Sequence, residues 1–384
     1  MKILLVSTSS GSRGGGELYL LCLARALVQR GHTVTLWASS HSRMDELANS
    51  FSGFGEVIRA RYKNTYDRRT RSLGSSISPF TAARIARQWR KTGADFIHLN
   101  KQNLEDGLDL LRAATWSGIP NLCMIHITQS TRYLGGRYHW ARDFAARRAL
   151  RSYPGMLVTV PESRRRDLLS FLGPTPRVRV VPTGVPSLDL ARRDAVRTAK
   201  RAELGYDESA LVIAAVGRMV SQKRPQEFLV EAERIYRRLP RVRFLWVGDG
   251  EYAEQWDAWV AAKGLRGVIN RVGWQADVPA FLFAADAFMH VAQYEGLPLA
   301  LLEAMSAALP CIVSRNLIAD MPFLDSANSI AAEDTARLID TLESPLALRE
   351  IGKAARSLIE KEFSFQRMAE EYELLYAVAA RPEE

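Results

Sequence analysis

The first forty residues constrain the fold most. Lys2–Thr8 (KILLVST) is an apolar run, Gly11–Gly16 (GSRGGG) a glycine-rich loop, and Glu17–Gln29 a helix with Leu20, Leu21, Ala24 and Leu27 as its apolar positions. Gly31 ends that helix, and His32–Ala38 (HTVTLWA) follows as a second strand. Strand, glycine loop, helix and strand in this order make a right-handed βαβ unit and begin a parallel sheet.

The alternation continues through strands at Asp95–Asn100, Asn121–Thr128, Met156–Val160 and Arg177–Pro182. It then restarts. Leu211–Val216, Val242–Val247, Val268–Val272, Ala287–Ala292 and Cys311–Ser314 read as strands, with helices at Pro225–Arg238, Glu254–Lys263 and Val278–Ala284. The chain ends in helices at Thr335–Leu342, Ala347–Glu360 and Phe365–Val378. A length of 384 residues suits two domains. The charged stretch 186–208, which holds a helix, reads as the connection between them. The arginine- and serine-rich stretch 61–91 reads as a mobile loop and then a helix.

An apolar fraction of 47% and a charged fraction of 24% are those of a soluble globular protein. No window approaches a membrane span. The N-terminus is too short in its apolar run for a signal peptide and reads as the first strand. Cys22, Cys123 and Cys311 stand in apolar segments without metal-ligand spacing, so they read as reduced core residues of a cytoplasmic protein. Charge is unevenly placed. Residues 1–190 hold 28 Lys+Arg against 13 Asp+Glu, whereas residues 191–384 hold 24 against 29. A basic first half implies an anionic partner such as a membrane surface, a phosphorylated lipid or a nucleic acid.

A dinucleotide cofactor is disfavoured. Tyr19 stands where the third glycine of G-x-G-x-x-G belongs, and Ala38–Ser40 stands where an acidic residue should end the second strand. Arg218 and Lys223 share the loop after a strand, where doubly wound sheets bind ligands, and a guanidinium and an ammonium both suit a diphosphate. Farther on, Glu295 lies in a loop and Glu303 on the following helix, with Pro298 in its first turn. The free N–H groups of Leu297, Leu299 and Ala300 around Pro298 would form a helix N-terminus suited to phosphate. Carboxylates on either side of a diphosphate suit a ligand with hydroxyls at both ends, as in a nucleotide-sugar.

Glu295–Gly296, the seven-residue spacer and Glu303–Ala304–Met305 resemble the E-x7-E motif of retaining GT-B glycosyltransferases, family 4 (glycosyltransferase group 1). The resemblance implies two Rossmann-like doubly wound domains facing a cleft, with the C-terminal helix packing back towards the first domain. The boundaries it suggests are 1–185 for acceptor binding, 186–208 for the connection, 209–363 for nucleotide-sugar binding and 364–384 for the last helix and tail. It implies transfer of a sugar to an acceptor hydroxyl with retention.

Residue by residue, Arg218 and Lys223 match the family's phosphate-binding segment. Glu303 would meet the ribose and Glu295 the donor sugar. Gly248 would lie beside the nucleotide, and the backbone of Arg271 and Val272 against the base. Gly14, Gly15 and Gly16 would border the diphosphate and acceptor, with His126 near the reacting sugar. No D-x-D sequence occurs, so no metal is expected, and the co-substrate would be a UDP- or GDP-sugar rather than a bound cofactor. Ala308 departs from the family's glycine before Leu-Pro, and 315–320 replaces a Gly-Gly turn and a glutamate.

The expected acceptor is a sugar or a lipid-linked or otherwise anionic molecule. Basic and aromatic residues alternate along 132–151, which suits peripheral attachment to the inner face of a membrane. Two other readings are weighed: a basic nucleic-acid-binding α/β protein, against which the lack of any recognised nucleic-acid motif speaks, so that no nucleic acid is expected, and a GT-B protein that binds, hydrolyses or epimerises a nucleotide-sugar without transfer.

Overall fold

The computed structural model describes residues 1–76, 79–175 and 177–380. Positions 77–78 of the basic stretch and the last four residues of the expected tail lie outside the described residues. The chain forms two compact units, Met1–Gly184 with Phe365–Glu384, and Val185–Ser364.

Unit 1 carries a seven-stranded sheet in the order β3-β2-β1-β4-β5-β6-β7. Its strands are β1 (Lys2–Ser7), β2 (Thr33–Ser39), β3 (Glu56–Ala60), β4 (Phe96–Asn103), β5 (Asn121–Ile127), β6 (Met156–Thr159) and β7 (Val178–Val180), all parallel. The helices between them are α1 (Gly15–Gln29), α2 (Asp45–Phe51), α3 (Arg71–Ser76), α4 (Pro79–Arg90), α5 (Leu108–Ser117), α6 (His139–Ser152) and α7 (Glu162–Leu172). The apolar run of β1 is buried from Ile3 to Val6 because helices cover both of its faces. The part of 61–91 expected as a mobile loop contains helical turns. A helical turn at Thr65–Asp67 leads into α3, and Tyr62, Asn64 and Thr65 are buried there.

Unit 2 carries six parallel strands in the order β10-β9-β8-β11-β12-β13. They are β8 (Leu211–Val216), β9 (Val242–Val247), β10 (Ile269–Arg271), β11 (Ala287–His290), β12 (Cys311–Val313) and β13 (Ser329–Ala331). Its helices are α8 (Arg193–Leu204), α9 (Pro225–Tyr236), α10 (Ala253–Ala262), α11 (Val278–Ala284), α12 (Leu299–Ser306), α13 (Arg315–Asp320), α14 (Thr335–Glu343) and α15 (Pro345–Glu362). The stretch 186–208 belongs to this unit. Its helix α8 packs on α11, and Arg197 and the fully buried Arg201 both pair with Asp286 at 2.6 Å.

The last helix, α16 (Phe365–Ala379), is part of unit 1 and packs on α1 and β5. Its hold is a buried polar chain. Tyr19 donates to the hydroxyl of Tyr372 at 2.6 Å and lies 3.0 Å from His98 Nε2, whose Nδ1 lies 2.9 Å from the Tyr376 hydroxyl. Burial pushes the His98 imidazole down to about 3, so it links these hydroxyls as a neutral ring. At the rim Arg30 grips Glu373 at 2.7 and 2.8 Å.

Candidate functional site

In unit 2 the sheet order makes β8 and β11 neighbours, so the loops leaving their carboxyl ends meet. Lys223, in the turn after β8, forms an ion pair with Glu295, in the loop after β11. His290, the last residue of β11, places Nε2 3.0 Å from the same carboxylate oxygen. Gln222 donates to Glu295 Oε2 at 3.4 Å and to the Tyr294 carbonyl at 3.0 Å, while its own carbonyl accepts from Gln293 N at 2.8 Å. Burial alone would raise the Glu295 carboxyl. The Lys223 ammonium and the hydrogen bond from His290 outweigh it and hold the group down to about 2. His290 is itself depressed by burial, so its neutral ring serves Glu295 as an Nε2–H donor.

Glu303 contrasts with Glu295. It lies on α12, its carboxylate makes no hydrogen bond among the described residues, and burial pushes it up to about 7. Pro298 precedes α12 at the cap, one position earlier than expected, and the helix begins at Leu299. The N–H groups of Leu299 and Ala300 therefore have no partner within the helix. With Leu297 they form an open terminus between the two glutamates, and such a terminus attracts anionic oxygens.

Arg218 is exposed and makes no ion pair among the described residues, so it is not drawn into the Lys223–Glu295 contact. Its loop is braced by glycines. A Cβ at Gly248 would meet the Gly217 carbonyl at 2.0 Å, and one at Gly250 the Met219 backbone at 2.5 Å. Trp246 Nε1 also donates to the Gly217 carbonyl at 3.1 Å. Gly248 thus works as a close-approach residue under the Arg218 loop. Arg271 reaches Asp249 at 3.5 Å. Val272 donates its N–H to Trp246 and accepts from Gln275 at 2.7 Å, so a base there would have only the carbonyl's second lone pair.

In unit 1 the glycine loop and His126 share one partner. Asn100, on β4, donates to the Gly16 carbonyl at 3.0 Å, and its Oδ1 lies 2.6 Å from His126 Nε2. That arrangement makes Nε2 the protonated nitrogen of a neutral ring, and burial depresses the imidazole to about 4. Gly14 caps α1 in extended backbone, Gly15 begins the helix, and a Cβ at Gly16 would meet the Gln102 amide at 2.3 Å. Gln102 in turn donates to Glu17 at 3.0 Å.

His290, Gln222 and Asn100 were missed in the sequence. Each sits within a strand end or loop already singled out, but none belongs to the quoted motifs. Position at the carboxyl end of a parallel strand was the available signal for His290 and Asn100. Among the described residues no group of acidic, histidine or cysteine side chains could hold a metal ion, and no helix is long and apolar enough to cross a membrane.

The model of Glycosyltransferase Family 4 matches residues 13–187, and that of Glycosyl transferases group 1 matches residues 196–357. An Escherichia coli UDP-Gal:alpha-D-GlcNAc-diphosphoundecaprenol alpha-1,3-galactosyltransferase is 30% identical over 59% of each chain. The Acholeplasma laidlawii alpha-monoglucosyldiacylglycerol synthase is 23% identical over 76% of this chain and 77% of its own. The matched region spans between two-fifths and three-fifths of the first three curated relatives. Among solved structures, Anabaena HepE in complex with UDP and glucose superposes with a TM-score of 0.77 at 18% identity, covering 98% of this chain and 99% of its own. WaaG, a glycosyltransferase involved in lipopolysaccharide biosynthesis, superposes with a TM-score of 0.68 at 16% identity, over 98% and 99%. Two Rossmann-like units of seven and six parallel strands, together with both family models, lead to one conclusion: the chain belongs to the group 1 glycosyltransferases of the GT-B fold.

Proposed function

We propose that the protein transfers a sugar from a nucleotide-sugar, a UDP- or GDP-sugar, to an acceptor hydroxyl with retention and without a metal. The observation that carries this reading is the buried Lys223–Glu295–His290 cluster beside the open terminus of α12. In this reading Lys223, Arg218 and the N–H groups of Leu297, Leu299 and Ala300, next to Pro298, face the donor diphosphate. As the bond from the sugar to the diphosphate breaks, negative charge grows on the leaving oxygen, and these fixed positive groups stabilise it. Lys223 bridges the donor phosphate and Glu295, whose remaining lone pairs accept from sugar hydroxyls. Glu303 takes the ribose, and Gly248, Arg271 and Val272 the nucleoside. Glu295 and His126 are assigned to the reacting sugar, and Gly14–Gly16 to the diphosphate and acceptor side.

The acceptor in this reading is lipid-linked or otherwise anionic and is held by unit 1 at the inner face of a membrane. Two of the similar enzymes are named for lipid-linked chemistry. The aromatics of the basic segment are on the surface rather than in the core: Tyr133 is 58% exposed, Tyr138 68%, Trp140 72% and Phe144 66%. Rings and arginines on one surface suit an anionic headgroup layer.

One assay series tests the proposal. Purified protein is given UDP- and GDP-sugars with lipid-linked acceptors, and the product's anomeric configuration is read by NMR. We expect a retained linkage, activity that survives excess chelator, and co-sedimentation with anionic but not neutral vesicles at low salt. Nucleotide-sugar hydrolysis without transfer to any acceptor would overturn it in favour of a hydrolase. An inverted product or rescue by added magnesium would overturn the mechanism.

A further inference from the structure

Unit 1 holds an open cavity of about 610 Å³ that takes no part in the chemistry above. Five of its nine lining residues are cationic: Arg61, Lys63, Arg68, Arg69 and Arg84. The others are Tyr62, Thr70, Gly74 and Thr81, so no carboxylate lines it. One of the five charges is already matched, because Arg68 pairs with the buried Asp109 at 2.7 Å and lies over the Tyr62 ring. Arg61, Lys63, Arg69 and Arg84 make no ion pair with a carboxylate among the described residues, and Arg84 is turned by a 3.1 Å bond to the Arg61 carbonyl.

These residues come from elements that the sequence kept apart. Arg61 and Lys63 follow β3, Arg68 and Arg69 precede α3, and Arg84 lies on α4. The fold therefore gathers four cations without carboxylate partners around one concavity, a local positive potential that attracts an anion. Guanidinium forks, an ammonium and the Thr70 hydroxyl converge there with donors to spare beyond the Arg84 bond to the Arg61 carbonyl, which is the chemistry of a phosphate site. The volume is that of a small-molecule site, and the cationic lining is what selects a charged group. Phe80, which precedes Thr81 on α4, is 87% exposed and offers an apolar surface near this part of the chain.

We infer that this basin binds a diphosphate group, the one carried by a lipid-linked acceptor. The assignment rests on the proposed transfer reaction for its source but not for its chemistry. Arg61, Lys63, Arg69 and Arg84 hold the diphosphate, and Phe80 touches the first carbons of the lipid.

Calorimetric titration of the full chain with inorganic pyrophosphate and with farnesyl diphosphate tests it. Three proteins are compared: wild type, the basin variant Arg61→Ser with Arg69→Ser, and the donor-site variant Arg218→Ala with Lys223→Ala. Both basin positions are exposed, so folding is checked by an unchanged melting temperature, and Arg61→Lys with Arg69→Lys should keep most of the binding. With saturating UDP present to fill the donor site, the expected result is at least tenfold weaker binding of both ligands in the basin variant than in wild type; without UDP, the donor-site variant loses only the UDP-sensitive part of pyrophosphate binding and keeps farnesyl diphosphate. Equal affinity in wild type and basin variant, or no heat with wild type, overturns the basin. Retention of pyrophosphate binding in the basin with exclusion of farnesyl diphosphate overturns the lipid source. A separate UDP titration reads the donor site: its failure with intact basin binding would sink the transfer reading and leave this one standing.

Discussion

The two glutamates of one short motif sit in opposite surroundings. Around Glu295 the protein supplies a cation and a histidine donor, and the carboxylate is held down to about 2. Around Glu303 the described residues supply no hydrogen-bond partner, and burial lifts the carboxyl to about 7. A spacing of eight positions thus joins one group that is fully charged and already engaged to another that is uncharged half the time near neutrality. The difference teaches that the motif is not a symmetric clamp. The Glu295 side is already hydrogen-bonded and ion-paired by the protein itself, whereas the Glu303 carboxyl has no such partner among the described residues.

The largest expected effect comes from breaking the engaged side. Lys223→Ala removes the cation and leaves Glu295 a buried carboxylate with only neutral partners, which costs several kcal/mol when a buried pair is broken. It should also weaken nucleoside diphosphate binding by about 1.5–3 kcal/mol, the range for hydrogen bonds to charged groups. Titration calorimetry and thermal melts at pH 7 check both effects. Wild-type affinity in this variant would show that the ion pair is structural and that the diphosphate lies elsewhere.

A smaller effect separates the glutamates in function. Glu303→Gln should weaken free nucleoside diphosphate by about 1 kcal/mol, one ordinary hydrogen bond. Glu295→Gln should leave that affinity nearly unchanged and lower transfer by roughly tenfold or more, in line with a hydrogen bond to a charged group. The reverse pattern in binding and initial-rate measurements would mean that ribose and sugar have been exchanged.

The same contrast has a pH signature of opposite sign. Glu295 has a folded value below that of the unfolded chain, so its contribution is present above the unfolded value and is lost as pH falls toward 2. Glu303 has a folded value above the unfolded one, so the folded state holds the extra proton. Its stability contribution is largest below about 4.5 and falls away as pH rises to about 7. Glu303→Gln should therefore raise the melting temperature at pH 8 and change it little at pH 4. Nucleotide affinity in the wild type should climb between pH 6 and pH 8 as the carboxylate forms. A flat difference in melting temperature across this range would show that Glu303 is solvated.

Much of this was readable in the chain because parallel strands buried on both faces leave continuous apolar runs such as ILLV and LVIAAV. The elements that escaped were short or at sheet edges. β3 is only half-buried apart from Ala60, and β13 has three residues. The site was legible where its residues lie close together in sequence, as Glu295 and Glu303 do. The Lys223–Glu295 pair was not, because its members are 72 positions apart and meet only through the adjacency of β8 and β11. The basic basin was visible as excess charge but not as a cavity, since it needs three elements to converge.

The helix that carries Glu303 also shows how a departure from a family pattern is absorbed. Ala308, where the family has glycine, adopts φ of 57°, in the left-handed region. Its N–H bonds to the Met305 carbonyl at 3.0 Å and that of Leu309 to Ala304 at 3.0 Å, the two bonds that end a helix in a Schellman motif. The backbone cannot relax, because the Ala308 carbonyl lies against Gly352 of α15, where a Cβ would come within 2.1 Å of it. An alanine held there costs about 1–2 kcal/mol, and glycine returns part of that through the greater freedom of the unfolded chain. Ala308→Gly should therefore stabilise unit 2 by about 0.5–1 kcal/mol without altering nucleotide affinity, since it changes the end of α12 and not the terminus beside Glu295. Denaturant melts and a nucleotide titration check this. A stabilised variant with weaker binding would mean that strain at the end of α12 helps to set the position of Glu303.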